Sequence, residues 1–173
     1  ELVDLTRKHF EDTGNGGFFL TADDGEKLLI RAKEIYDGAI PSGNSVMALN
    51  LLRVHKITGQ EKYLHSAENP FSAFSGFLEK SPQGAEVLLH ALDFSLAPAK
   101  EIVIAGEYGS KETNQLINAI NQNFMPAKVL LFRPTDIKNP KITKLSPFLI
   151  NHKLVNRKTA VYNYNDKTCQ KTE

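Results

Sequence analysis

Tryptophan is absent from the 173-residue chain, and cysteine occurs once, at Cys169. A single cysteine excludes an intrachain disulfide and a multi-cysteine metal site. It suits a reducing compartment, and a cytoplasmic location is expected. No stretch approaches the roughly 18 apolar residues of a membrane helix, so no membrane span is expected. Neither charge sign is in excess: 21 Lys and Arg face 20 Asp and Glu, for a net +1. No global field then draws the chain to nucleic acid or anionic lipid, and no basic run is interleaved with aromatics. The initiator methionine is missing, and residues 1–11 mix charged and apolar residues where a signal peptide would be hydrophobic. The chain therefore reads as a piece of a longer one, starting inside a helix. No internal repeat of fixed period is evident.

What is present supports a folded core. The apolar fraction is 41% and the charged fraction 24%, over a length that suits one large domain or two small ones. Leu2, Val3, Leu5, Thr6 and Phe10 have helical spacing. Asp12-Thr13-Gly14-Asn15-Gly16-Gly17 then predicts a tight reversal, because glycine tolerates positive φ. Phe18 to Leu20 and Leu28 to Ile30 read as short extended or irregular apolar runs, separated by the polar turn Asp23-Asp24-Gly25-Glu26. Residues 45–58 predict a helix apolar on two faces, and therefore buried, that stops at Gly59. Residues 61–80 continue a helical pattern that Pro70 should kink or break. A third helix is expected over 83–96.

The character changes after Pro98. Residues 101–106 form a β-branched run that signals a buried strand. Helix over 112–123, strand over 129–132, weaker helix over 141–150 and strand over 159–162 follow, then a polar tail. Alternation of strand and helix predicts a small three-stranded parallel sheet with right-handed crossovers. The expected organisation is a helical region at 1–98 and an α/β unit at 99–173.

Chemistry-bearing residues concentrate in Asp37-Gly38-Ala39-Ile40-Pro41-Ser42-Gly43-Asn44-Ser45. Its glycines let the backbone approach a ligand, and it enters a helix whose N-terminus offers unpaired N–H groups. Ser42, Asn44 or Ser45 would equally serve as an N-cap, so a capped turn without ligand stays open. Asp23, Asp24 and Glu26 precede Arg31, Lys33, Tyr36 and Asp37, types suited to acid–base work and to sugar or phosphate recognition. A solvated charged turn is the plainer account of the two aspartates. The five histidines, His9, His55, His65, His90 and His152, lack ligand spacing, so no metal site is expected. Gly106-Glu107-Tyr108-Gly109-Ser110 lacks the third glycine of a dinucleotide loop and reads as a structural turn.

The segments 16–19, 21–24, 26–29, 31, 33 and 36–45, with 91–94, 100–104 and 168–170, resemble the C-terminal part of the YyaL-like thioredoxin-domain-containing proteins, whose animal members are called spermatogenesis-associated. The resemblance covers nearly the whole chain. It implies an (α/α)6 toroid similar to N-acylglucosamine 2-epimerases and six-hairpin glycosidases, of which this chain holds the final hairpins plus the α/β extension. It also implies, as a partner, an N-terminal thioredoxin-like domain elsewhere in the full-length protein. The implied ligand is a sugar or polyol, processed by an epimerase, isomerase or hydrolase. Arg31, Tyr36, Asp37, Ser42, Asn44 and Ser45 would bind it and Asp24 would act as acid or base. No cofactor is implied, and the isolated fragment is expected to be inactive. Tyr164 stands where the family usually carries a second cysteine, five residues before Cys169, and Ala32 where it commonly has proline. The alternative is a non-catalytic helical scaffold that docks partners, with an exposed apolar patch and a tendency to self-associate.

Overall fold

A computed structural model describes residues 1–97, 100–165 and 168–172. Two compact units are present: residues 1–55 with 60–96, and residues 56–59 with 97–173. No helix among the described residues is long and apolar enough to cross a membrane.

The first unit contains α1 (Leu2–Phe10), α2 (Gly43–Thr58, up to His55), α3 (Glu61–Ala73), α4 (Ser75–Lys80) and α5 (Glu86–Leu96). Gly16 and Gly17 both take positive φ, 75° and 77°, and carry out the predicted reversal after α1. Gly17 also has to be glycine for space: a Cβ there would lie 2.9 Å from Asn44 Oδ1 and 3.1 Å from the Phe74 ring. Residues 23–30 have no regular structure and are exposed throughout. α2 buries Met47, Ala48, Leu49, Leu51 and Leu52 on more than one side, as its pattern required, and ends at Gly59 with φ of 68°. The core continues through Phe18, Ile35, Tyr63, Ala67, Leu88, Ala91 and Phe94.

The expected helix over 61–80 is divided, but not at Pro70. α3 runs one turn past the proline, and the break comes at Phe74, whose φ and ψ are −112° and 14°. A proline removes its own N–H and crowds the preceding turn, leaving its carbonyl intact. The Pro70 carbonyl accepts from Phe74 N–H at 3.0 Å. The helix expected from 83 begins at Glu86, after a 3-10 turn at Pro82–Gly84.

The second unit is built on a four-stranded sheet, ordered β2-β1-β3-β4, of β1 (Lys100–Gly106), β2 (Lys128–Pro134), β3 (Ala160–Asn165) and β4 (Thr168–Thr172). β1 lies between β2 and β3 and is buried from Ile102 to Gly106. α6 (Lys111–Gln122) makes the crossover to β2, which is parallel to β1.

The all-parallel, three-stranded sheet is corrected in two respects. β3 runs antiparallel to β1, with Ala160 opposite Ala105 at the C-terminal end of β1. A parallel β3 would need a connection that returns along the whole of β1, about 23 Å for its seven residues. Instead α7 (Lys141–Leu145) has five residues, or about 7.5 Å, and stops before Pro147, which opens a 3-10 turn through Asn151. The chain therefore re-enters the sheet at the end it left. The second correction is the polar tail, which supplies β4, an edge strand antiparallel to β3. Backbone pairing needs no apolar side chain, so an edge strand of Thr, Gln and Lys carries little hydrophobic signal. Cys169 pairs with Tyr164 through the backbone; its side chain lies outside the described residues.

Candidate functional site

Polar groups of the Asp37–Ser45 loop join it to its surroundings. Asp37 Oδ1 accepts from Ser42 N–H at 2.7 Å, and Oδ2 accepts from Val87 N–H at 2.9 Å. Val87 lies in the first turn of α5, so a carboxylate distant in sequence caps that helix and meets its partial positive charge. Asp37 N–H in turn donates to the Gly84 carbonyl at 2.7 Å. Ser42 is the N-cap of α2: its Oγ accepts from Ser45 N–H at 3.2 Å and donates to Ser45 Oγ at 2.9 Å. Both serines are buried.

Asn44 is 1% exposed and fully engaged. Its Oδ1 accepts from Phe18 N–H at 2.6 Å, and its Nδ2 donates to the carbonyls of Phe18, at 2.9 Å, and Glu34, at 2.7 Å. One side chain thereby ties two irregular backbone segments to the start of α2. Such segments lack a ladder of their own, and a buried amide supplies the missing partners. Tyr36 is more exposed, with its ring against Gly38 and Gly84.

Arg31 and Lys33 serve a second group. Arg31 Nη2 donates to the carbonyls of Thr21, at 2.6 Å, and His9, at 3.1 Å, while its guanidinium stacks over Phe19, 4.1 Å from the ring centroid. Lys33 Nζ donates to Asp12 Oδ2 and to the Gly16 carbonyl, both at 2.7 Å. Hydrogen bonds from Lys33 and from the Asn15 and Gly14 amides hold the Asp12 carboxyl down to about 2.

Arg31 brings the turn after Leu20 against the end of α1, and there a constellation forms that sequence spacing does not reveal. His9 Nδ1 lies 2.8 Å from Asp23 Oδ1 and 3.3 Å from Asp24 Oδ2. Asp23 N–H donates to the His9 carbonyl at 3.0 Å, which fixes the turn to the helix. The hydrogen bond with His9 lowers the Asp23 carboxyl below its ordinary value, and the Arg31 charge adds to this. The three side chains each offer a ligand atom, all within 4.8 Å of one another. One imidazole nitrogen and two carboxylate oxygens form a donor set suited to zinc or manganese, and equally a histidine–carboxylate pair for proton transfer.

The sequence-selected residues thus divide. Asp24 and Arg31 share the His9 end of α1. Asp37, Ser42 and Ser45 hold the starts of α2 and α5, and Asn44 points into the core between Phe18 and Glu34.

Apolar surface is the other feature of this unit. Leu28, Leu29 and Ile30 are 46%, 105% and 80% exposed. A cleft of about 250 Å³ is lined chiefly by Phe10, Phe18, Phe19, Leu20, Val46 and Met47. In the second unit, the turn after β1 is closed by its own hydrogen bonds: Ser110 Oγ caps α6 by accepting from Thr113 N–H, and Asp136 Oδ1 accepts from Tyr108 N–H.

No family model matches the chain. It is similar to spermatogenesis-associated protein 20 of Rattus norvegicus, at 33% identity over 169 residues, which is 97% of this chain and 21% of that protein. The human protein of the same name is 31% identical over the same shares. An uncharacterised Caenorhabditis elegans protein, B0495.5, is 29% identical over 65% of this chain. The chain therefore spans about a fifth of the length of the spermatogenesis-associated relatives it matches.

Proposed function

The chain belongs to the spermatogenesis-associated protein 20 family, and from that premise we propose that it acts as a protein-interaction module of a longer polypeptide. The observation that carries this reading is the run Leu28-Leu29-Ile30, three consecutive large aliphatic side chains held in solvent. Leu29 and Ile30 would each gain roughly 1.5–3 kcal/mol on burial and the half-buried Leu28 less, so the run is a standing drive toward a partner surface. The apolar cleft beside Phe10 and Met47 adds a shaped recess in the same unit. The partner is the remainder of the polypeptide, including the thioredoxin-like domain that the family resemblance implies.

The test supplies the rest of a full-length relative in trans and measures co-purification with this chain. Association is expected, with loss on Leu29→Glu/Ile30→Glu. Absence of association, or binding indifferent to the double substitution, overturns the proposal.

A second reading keeps the longer protein as a carbohydrate- or polyol-handling (α/α) toroid, an epimerase, isomerase or hydrolase. Arg31 and the exposed Tyr36 would then face its ligand, Asp24 would supply acid–base chemistry, and Asp37, Ser42, Asn44 and Ser45, whose polar atoms bond within the unit, would hold the wall from behind. The observation in its favour is the His9–Asp23–Asp24 constellation, whose imidazole and carboxylates are the groups proton transfer to and from a hydroxyl requires. A sugar and sugar-phosphate binding screen on a full-length relative tests it. Binding weakened by Asp24→Asn at unchanged melting temperature supports the reading, and the lack of any sugar ligand sinks it.

A further inference from the structure

His152 is the most buried of the histidines, at 4% exposure. It follows the 3-10 turn at Pro147–Asn151 and enters an aromatic enclosure on one face of the sheet. Its ring meets Tyr162 edge-on at 4.7 Å between centroids, Tyr164 at 5.7 Å and Phe148 at 5.9 Å. Nε2 lies 2.6 Å from the Tyr164 hydroxyl, whereas Nδ1 is buried with no close hydrogen-bond partner among the described residues.

These contacts select the ring's state. The backbone of Phe148 and Leu149 acts on this ring in favour of a proton. In the neutral tautomer with hydrogen on Nδ1, Nε2 accepts from the Tyr164 hydroxyl. Adding a proton at Nε2 removes that acceptor. The Tyr164 hydroxyl has to turn from donor to acceptor, and a charge is created inside the enclosure.

The surroundings oppose that charge. Alternation along the strands puts Arg133 of β2, Glu101 of β1, and Tyr162 and Tyr164 of β3 on one face of the sheet. Glu101 is engaged by Lys56 at 3.4 Å, and among the described residues the charge of Arg133 acts on His152 and is repulsive. Lys153 offers its carbonyl to the Tyr162 hydroxyl, and Lys141 and Lys144 of α7 are exposed. Burial is the largest influence on His152 and lowers its pKa; the backbone of Phe148 and Leu149 opposes this in part.

We propose that His152 is an acid-sensitive latch on β3, holding the strand while neutral and releasing it when protonated. The linkage has a definite sign. The unfolded segment takes up its proton near 6.5 and the folded one only at lower pH. The hold on β3 is therefore complete above about pH 6.5 and is lost as pH falls below it. β3 pairs with β1 on one side and β4 on the other, so the released segment exposes one edge of the central strand β1.

Native-state hydrogen exchange on the full chain tests this, with amides 160–165 followed from pH 8 to pH 5 and corrected for intrinsic rates. The opening constant of β3 is expected to rise by up to about tenfold per pH unit below 6.5. His152→Gln, which retains a side-chain partner for Tyr164, is expected to flatten that slope. The His152 ring signals, read by NMR in the unsubstituted protein, should titrate below 6.5. Titration at or above 6.5, or an unchanged slope in His152→Gln, overturns the proposal. Should His152→Gln fail to fold, the ring titration decides alone.

Discussion

The Asp37–Ser45 loop and the turn around Asp23 and Asp24 look alike as sequence: both are short, polar and glycine-bearing. Folding uses them in opposite ways. In the first, Asp37, Ser42 and Asn44 direct their polar atoms at backbone amides and carbonyls of the same unit. In the second, Asp23 and Asp24 converge on one imidazole while their side chains stay 54% and 66% exposed. A polar group whose bonds close internally contributes to stability, and one facing solvent keeps its capacity for a ligand. The contrast predicts how the two regions separate on substitution.

The largest effect is expected at Asn44. Asn44→Ala leaves Phe18 N–H and the Phe18 and Glu34 carbonyls without their partner, at a cost of about 3–5 kcal/mol. In a unit of this size that lowers the melting temperature by more than about 10 °C, measured by circular dichroism. A shift under about 2 °C would place Asn44 with the exposed turn and erase the contrast. Asp37→Ala comes next, at about 2 kcal/mol, because the starts of α2 and α5 lose a shared acceptor. Asp37→Asn keeps one acceptor and should cost about half as much. Equal losses would mean that charge, rather than geometry, does the holding.

A smaller effect is expected where Lys33 meets Asp12. The Asp12 carboxyl, held at about 2, lies below the ordinary 3.8. Its contribution to stability is therefore complete above the unfolded value and is lost as pH falls from 3.8 through 2. Lys33→Met removes the largest cause, and NMR should find the carboxyl most of the way back to 3.8. Acid unfolding of the variant should lose the component in that window. An Asp12 still near 2 would give the hold to the Gly14 and Asn15 amides instead.

The depth to which the sequence could be read follows from how local each feature is. The α2 helix was legible because its apolar residues recur along one short segment, and its stop at Gly59 because glycine accepts positive φ. The N-cap of α2 was narrowed to three residues and no further, since Ser42, Asn44 and Ser45 have equivalent capping chemistry until the backbone is placed. The reversal of β3 was hidden: a strand signal reports burial, whereas direction depends on the length of a connection cut short at Pro147. The meeting of His9 with Asp23 and Asp24 was hidden too. It depends on Arg31 drawing the turn onto α1 through the Thr21 and His9 carbonyls, a tertiary contact with no spacing rule.

The smallest effect on stability belongs to the exposed turn, and there the comparison is sharpest. Leu29 and Ile30 make little use of the core at 105% and 80% exposure, and Asp24 has His9 as its sole close ionic partner among the described residues. Leu29→Glu, Ile30→Glu and Asp24→Asn should each keep the melting temperature within what about 0.5 kcal/mol allows. Solution behaviour should move even so, because uncovered aliphatic side chains drive association whether or not they stabilise the fold. Sedimentation of the isolated chain over a wide concentration range should find self-association that Leu29→Glu/Ile30→Glu removes and Asp24→Asn leaves. If the charged pair of substitutions lowers the melting temperature by several degrees, the run is packed within the unit. The turn would then work as the Asp37–Ser45 loop does, and the two regions would cease to differ in kind.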